Sequence, residues 1–318
     1  MKVFTKISQI KPSELKNVVV SVGNFDGVHI GHKVIIDKVV KDARKIEGKS
    51  LIITFKTHPV RILDSFTEPY LITSIPHKLK LIAERGVDFC YLIDFNEGFA
   101  EIEAEKFVKN ILCQKLKIKK IITGFNFRFG QGQKGDNTLL KEMGENLGFK
   151  VIVIDKVSLG GKSPSSTMIR KAIHEANFNL IDELLGRRYS LWGEVVEGEK
   201  IGRTIGFPTA NINPFHEIVP AQGVYAVKVK IENQDYQGVL NIGYPPFFVK
   251  EGNEKKLKIE VYILDFIDDI YGQEIEVFFI DKVRDEISFS DADELKEQIE
   301  KDLEKAKEIF DAYKQQKI

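Results

Sequence analysis

The chain has 318 residues, with 47 lysines and arginines against 47 aspartates and glutamates, 43% hydrophobic residues and 10% aromatics. Zero formal net charge argues against a dedicated nucleic-acid or membrane-surface protein, and the apolar content suffices for two ordinary globular domains. No run of about 18 apolar residues suggests a membrane span, residues 1–6 lack a secretion signal, and two cysteines suit a reducing compartment. A cytoplasmic protein with no nucleic-acid or membrane partner is expected.

Residues 18–22, Val-Val-Val-Ser-Val, read as a buried strand, and Val34, Ile35, Val39, Ala43 and Ile46 mark one apolar face of a helix. Between them runs Gly23-Asn24-Phe25-Asp26-Gly27-Val28-His29-Ile30-Gly31-His32, a strand-to-helix turn with glycines where the backbone must bend or admit a ligand. A helix N-terminus offers unpaired N–H groups to an anion, and His29 and His32, three apart, project to the same side. Phosphate contact, metal ligation and a solvated turn are the three readings. A closed zinc site would need further ligands at short spacing, and Cys90 and Cys113 lie in separate apolar segments.

Strands at 50–55, 89–93, 119–123 and 151–154 then alternate with helices at 77–85, 104–116, 137–147, 167–176 and 179–185. Short, continuously apolar strands in such alternation predict a doubly wound parallel sheet, the first domain of an α/β plus β chain, over residues 1–185. Ligands of such sheets bind beyond the strands' carboxyl ends, where the loops 23–32, 56–59, 124–130 and 163–170 emerge. In the last loop Ser165 or Ser166 can cap a helix, and with Thr167 and Arg170 it suits phosphates. Two motifs are decoys. Residues 130–135 match Gly-x-Gly-x-x-Gly with Asp155 downstream but stand too far from their strand, and Gly160-Gly161-Lys162-Ser163 lacks the first glycine of a Walker A motif, having Lys156 instead.

Beyond a linker at 186–189 the pattern alternates, with strands at 191–196, 224–231, 236–242, 257–264 and 275–280. A small antiparallel barrel or sandwich is expected over 186–318. It ends in an amphipathic helix marked by Leu295, Ile299, Leu303, Ala306, Phe310 and Tyr313. Gly202, Thr204 and Gly206 sit in a stretch able to wrap a polyphosphate. Thr209 and Asn211, two apart in an extended segment, offer hard oxygens to Mg²⁺, although an ordinary hairpin loop would look the same. Glu260 shares a strand face with Lys258 and Tyr262, either solvated or, beside a Mg–nucleotide site, a general base.

In this order the stretches resemble the bacterial bifunctional riboflavin kinase/FAD synthetase family. The resemblance covers nearly the whole chain. In the first half it rests on residues 23–32, Thr54-Phe55-x-x-His58-Pro59, Gly124-x-Asn126-Phe127-x-Phe129-Gly130 and Ser165-Ser166-Thr167-x-Ile169-Arg170. In the second half it rests on Gly202-Arg203-Thr204-x-Gly206-Phe207-Pro208-Thr209-Ala210-Asn211, Gly223-Val224-Tyr225, Asn241-Ile242-Gly243, Ile259-Glu260-Val261 and Leu264-Asp265-Phe266 through Tyr271-Gly272.

The resemblance implies a nucleotidylyltransferase domain in which FMN phosphate attacks the α-phosphorus of ATP to give FAD, with His29 and His32 stabilising charge. It also implies a barrel that phosphorylates riboflavin to FMN with ATP, where Glu260 activates the hydroxyl and Thr209 and Asn211 hold Mg²⁺. ATP or phosphate contacts are implied at Gly23, Phe25, Gly31, Asn126, Ser166, Thr167, Arg170, Gly202, Thr204 and Gly206, and flavin contacts at Asn126 and Phe129. A monomer or weak homo-oligomer handling small molecules is expected. One departure stands out: Pro245-Pro246-Phe247 follows Asn241-Ile242-Gly243 where the family commonly has Arg-Pro-Thr. That leaves a narrower reading, in which adenylyl transfer is kept and the kinase lost. A flavin- or nucleotide-binding regulator is the third reading, disfavoured by the presence of Glu260 and both histidines.

Overall fold

The computed structural model describes residues 1–63, 70–158, 163–199, 201–244 and 257–315. Pro245-Pro246-Phe247 and Gly160-Gly161-Lys162 lie outside the described residues. The chain divides into two compact units, Met1–Ser166 and Thr167–Ile318.

The first unit is built on six strands: β1 (Lys2–Phe4), β2 (Val18–Val22), β3 (Ser50–Phe55), β4 (Phe89–Ile93), β5 (Ile118–Gly124) and β6 (Lys150–Ile154). All pair in parallel in the order β1-β4-β3-β2-β5-β6. The crossovers are α1 (Ile30–Lys45), α2 (Pro59–Leu63), α3 (Ile75–Ala83), α4 (Glu97–Ala100), α5 (Ala104–Lys106, running on as a π-helix over Phe107–Lys115) and α6 (Asn137–Leu147). Every residue of β2 and β4 is buried, as expected of strands covered on both faces. Alternate residues feed two cores. Val18, Val20 and Val22 join Leu51, Ile53 and Phe107 on one face, while Val19 and Ile52 join Ile36, Val39 and Ala43 of α1 on the other. The doubly wound sheet is thus as expected, with one strand more. β1 is three residues long and gains its extended form from pairing with Phe89–Tyr91, a partner far away in sequence.

In the second unit, β7 (Ser190–Val196), β8 (Thr209–Pro214), β9 (Gly223–Ile231), β10 (Gln234–Gly243), β11 (Lys258–Ile263) and β12 (Glu274–Arg284) close a barrel in the order β10-β11-β8-β7-β12-β9. This resolves the choice between barrel and sandwich. Leu191, Val195, Ile212, Tyr225, Val227, Leu240, Ile242, Ile259, Val261, Val277 and Phe279 are buried and fill it. The long C-terminal helix (Ala292–Gln315) packs Ala306 and Phe310 over Val224, Ala226, Ile280 and Val283 on the barrel's outer surface.

Helices α7 (Ser166–His174) and α8 (Phe178–Leu185) precede the barrel. The compact units divide between Ser166 and Thr167, so that α8 is grouped with the barrel although it precedes the change in periodicity at 185/186. The cause is a contact that periodicity cannot reveal. The Phe178 ring of α8 stacks on Phe279 at 5.1 Å and meets Tyr225 edge-on at 5.6 Å, so α8 buries its apolar face against the barrel.

The Gly-rich decoy 130–135 is a closed turn. Phe129 and Gly135 exchange both backbone hydrogen bonds, at 3.1 and 2.9 Å. Gly130 has φ +73°, and a Cβ there would come within 2.6 Å of the Ala104 backbone. Gly130→Ala is therefore expected to cost the first unit more than about 1 kcal/mol, measured as a drop in the urea midpoint of its unfolding transition.

Candidate active sites

In the first sheet the strand order reverses between β2 and β5, so the loops leaving their carboxyl ends part and open a crevice. A cavity of about 480 Å³ lies there, lined by His29, His32, Phe125, Asn126, Asp155 and Ser166 among others. The turn after β2 is contorted: Phe25, Gly27 and Val28 have φ of +51°, +77° and +40°, and for a β-branched residue such as Val28 that is a genuine outlier. Buried hydrogen bonds hold it. The Asp26 carboxylate accepts the N–H groups of Ile72 (3.0 Å) and Thr73 (3.2 Å) and the Thr73 hydroxyl (3.4 Å). Gly27 N–H donates to Thr73 Oγ1 at 3.2 Å, and the Ser166 hydroxyl donates to the Asp26 carbonyl at 3.2 Å.

This turn sets the histidines. His29 caps α1, its Nδ1 accepting the His32 N–H at 3.3 Å. The two imidazoles stack at 3.6 Å with planes 16° apart, and Phe25 meets His32 edge-on at 5.3 Å. A Cβ on Gly31 would reach 3.1 Å from the His29 ring, so the small residue between the histidines makes room for the stack. Burial first, then the neighbouring His29 and Lys78, hold the His32 pKa well below its ordinary 6.5. His32 is therefore a neutral imidazole at neutral pH, and its buried Nδ1 has no hydrogen-bond partner among the described residues.

The other residues expected here divide. Asn126 lines the cavity, and Ser166 does so at the start of α7, the helix that also carries Thr167 and Arg170. Gly23 ends the strand with its Cβ direction closed by the Phe25 ring, 3.1 Å away. Phe25 and Phe129 are core side chains. Phe25 packs with Val19 and Ile36, and Phe129 packs against Phe107 and Phe127 at 6.0 and 5.3 Å, away from the cavity lining. Phe125, 51% exposed at the cavity, was passed over because a lone aromatic in a turn has no periodic signature.

In the barrel, a filled interior leaves the outer face for ligands. Register puts Asn211 of β8, Glu260 of β11, Asn241 of β10, Val224 of β9 and Arg284 of β12 in one row of cross-strand neighbours, whose side chains share a face. Glu260 is half-buried and hydrogen-bonded by Asn211. Burial is the largest influence on its carboxyl and pushes the pKa above 4.5, with Glu199 adding to the rise and Lys258 and the Asn211 bond opposing it. A cavity of about 700 Å³ lies over this row, walled by Thr209, Tyr262 and Phe207 on one side and by Phe289, Leu295 and Leu303 on the other. A second cavity of about 380 Å³, lined by Arg203, Phe266, Asp268 and Tyr271, also reaches Thr209. Gly202 lines the larger cavity, and a Cβ on it would lie 3.4 Å from Thr209 Oγ1; Thr204 ends the short helix Ile201–Thr204 and Gly206, at φ +91°, stands in the turn after it, both exposed.

Residues 11–168 match the family model described as FAD synthetase, and residues 185–310 match the one described as riboflavin kinase. The bifunctional riboflavin kinase/FMN adenylyltransferase of Buchnera aphidicola subsp. Schizaphis graminum is 41% identical over 312 residues, which cover 98% of this chain and 99% of that protein. Its namesake from Escherichia coli strain K12 is 36% identical over 311 residues, 98% of each chain. The chain belongs to this family. It is a riboflavin kinase and FMN adenylyltransferase, with the adenylyltransferase N-terminal and the kinase C-terminal. A crystal structure named as a macrolide-efflux protein from Streptococcus pneumoniae shares the fold at a TM-score of 0.83 and 32% identity, covering 96% of this chain and 98% of that one. No described helix here is long and apolar enough to cross a membrane.

Within the kinase unit, Arg284 and Asp302 were missed at the sequence level. Arg284 Nε and Nη2 grip the Asp302 carboxylate of the C-terminal helix at 2.8–3.1 Å, and Gln298 donates to the same carboxylate at 2.8 Å. Their positions, 18 residues apart on a strand and a helix, carry no local signal. The pair ties one wall of the larger cavity to the other. Asp302 is 4% exposed, and removing one partner of a buried pair strands the other charge. Asp302→Ala should destabilise the kinase unit by about 3 kcal/mol, read from denaturant unfolding of the full chain.

Proposed function

We propose that Glu260 is the general base of the kinase, that Thr209 and Asn211 hold the Mg²⁺ and phosphates of ATP, and that His29 and His32 stabilise the adenylyl-transfer transition state. The observation that supports this reading most is the row Asn211–Glu260–Asn241, which holds a half-buried carboxylate of raised pKa at a cavity large enough for a flavin. The larger cavity, with the rings of Phe207, Tyr262 and Phe289, suits an isoalloxazine, and the smaller, sharing Thr209, suits the nucleotide. Glu260 then accepts the proton of the ribityl hydroxyl as the hydroxyl oxygen attacks the γ-phosphorus, the bond to the β–γ bridging oxygen breaks and ADP leaves.

The hydroxyl of Thr209 and the amide oxygen of Asn211 are hard donors that fit Mg²⁺, which takes few protein ligands and keeps phosphate and water oxygens. Among the described residues no group of three or more His, Cys, Asp or Glu could hold a metal by itself, consistent with an ion that arrives with ATP. Bound Mg²⁺ would neutralise charge on the transferred phosphoryl group.

In the adenylyltransferase, FMN phosphate is anionic at neutral pH and needs no base. Neutral His32 and the cap residue His29 would donate hydrogen bonds to oxygens of the α-phosphate as negative charge builds there. Ser166, Thr167 and Arg170 would meet the leaving pyrophosphate, Gly23, Gly31 and the Phe25 backbone would border the phosphates, and Asn126 would contact nucleotide or flavin. The enzyme is further proposed to act in the cytoplasm as a monomer or weak homo-oligomer, with functional boundaries near 1–185 and 186–318.

Glu260→Gln should cut FMN formation from riboflavin by about 100-fold or more and leave FAD formation from FMN intact, with chromatography of both products as the assay. His29→Ala should do the reverse. Because burial raises the Glu260 pKa and the base must be ionised, the kinase rate should fall with acid through a midpoint above 4.5, and this acid limb should vanish in the residual activity of Glu260→Gln.

A further inference from the structure

Lys78 of α3 is 1% exposed and lines none of the three cavities described above. With Leu81 and Ile82 it occupies the inward stripe of its helix, a place where leucine or methionine would fill the space without the cost of taking an ammonium out of water. Its amine is used instead on the backbone. Nζ donates to the carbonyl of Asn24 at 3.2 Å and to that of Phe55 at 2.9 Å, and the Thr54 hydroxyl donates to the same Asn24 carbonyl at 2.9 Å. Phe55 is the last residue of β3, and Asn24 immediately precedes the left-handed Phe25, Gly27 and Val28 that aim the histidines.

We propose that Lys78 is a positioning residue for adenylyl transfer, its buried ammonium clamping the chain beyond β2 and β3 and so setting the turn that carries His29 and His32. Asp26 is tethered from the 72–73 segment and by Ser166. Lys78 and Thr54 supply the matching tether just upstream, so the strained turn is pinned on both sides. A fixed charge here has a second effect. Lys78 is one of the groups holding His32 uncharged, together with His29 and burial. The groups around Lys78 itself are Asp26, across the turn, and Cys90 of β4. Burial draws its pKa down to about 8 while the Asp26 carboxylate opposes the fall. The amine thus stays mostly protonated at neutral pH, with Cys90, its thiol pushed up to about 12, uncharged beside it.

The proposal rests on the assignment of the two histidines to the transferred phosphate. The test uses the full chain with FMN, ATP and Mg²⁺, FAD being followed by chromatography. Lys78→Met should lower kcat for FAD formation about tenfold or more with smaller changes in KM. It should also raise the His32 titration midpoint seen by NMR, and leave FMN formation from riboflavin unchanged as the internal control. Lys78→Arg, which keeps charge and donors, should hold the His32 midpoint low and recover part of the rate. Lys78→Met with kcat within about twofold of the parent and an unmoved His32 midpoint would overturn the proposal. If that variant unfolds the first unit, Thr54→Val decides. It removes a donor from the Asn24 carbonyl and no charge, so a fall in kcat with KM for FMN unchanged supports the clamp, and an undiminished kcat overturns it. His32→Asn with full FAD formation would instead refute the histidine assignment, whatever Lys78→Met does.

Discussion

The Asp26 carboxylate, buried and holding the N–H groups of Ile72 and Thr73, is what allows the turn after β2 to exist. Left-handed backbone at Phe25 and Val28 costs of order 1–3 kcal/mol at each residue and persists only where the surroundings over-determine it. Here they do. A carboxylate, a lysine amine, two threonine hydroxyls and a serine hydroxyl all bond within five residues of chain. The rigid turn delivers His29 to the cap position of α1 and lays its ring on His32, so that both imidazoles line the crevice in a fixed arrangement.

The kinase unit meets the same demand by different means. Six strands enclose a barrel whose interior is filled with apolar side chains, so the Asn211–Glu260–Asn241 row lies on the outer face. An outer-face carboxylate would ordinarily be solvated. Glu260 is half-buried instead, facing a cavity also lined by the C-terminal helix and residues 286–289, and this partial desolvation raises its pKa above that of a surface glutamate. The grip of Arg284 on Asp302 holds that helix to the barrel. In both units the proposed site residues stand on or at the ends of regular elements, and their neighbours shift their pKa values.

Much of this was legible in the residues themselves. Continuous apolar runs at 18–22 and 50–55 revealed buried parallel strands, and the alternation of Lys258, Glu260 and Tyr262 with Ile259, Val261 and Ile263 revealed the two faces of β11. What escaped depended on partners distant in the chain. β1 is extended because β4 is beside it, and β8 is a strand because β7 and β11 flank a segment that reads as a loop. Phe25 and Phe129 sit within motifs that look ligand-facing, but burial turned both rings into the core. Lys78 shows the converse, a charge in an apolar stripe whose purpose is visible only when two strand ends meet its amine.

The sequence by itself determined the element types, the strand-to-helix turn bearing His29 and His32, and the ordered motifs that mark the family, because hydrophobic period and turn chemistry are local properties. Tertiary structure decided which of those residues meet. Register across β8, β11 and β10 brought Asn211, Glu260 and Asn241 into one row, and packing of Phe178 on Phe279 grouped α8 with the barrel. It also moved the pKa of Glu260 up and those of His32 and Lys78 down. These depend on desolvation and on neighbours many residues away, quantities that come into being only when the chain closes on itself.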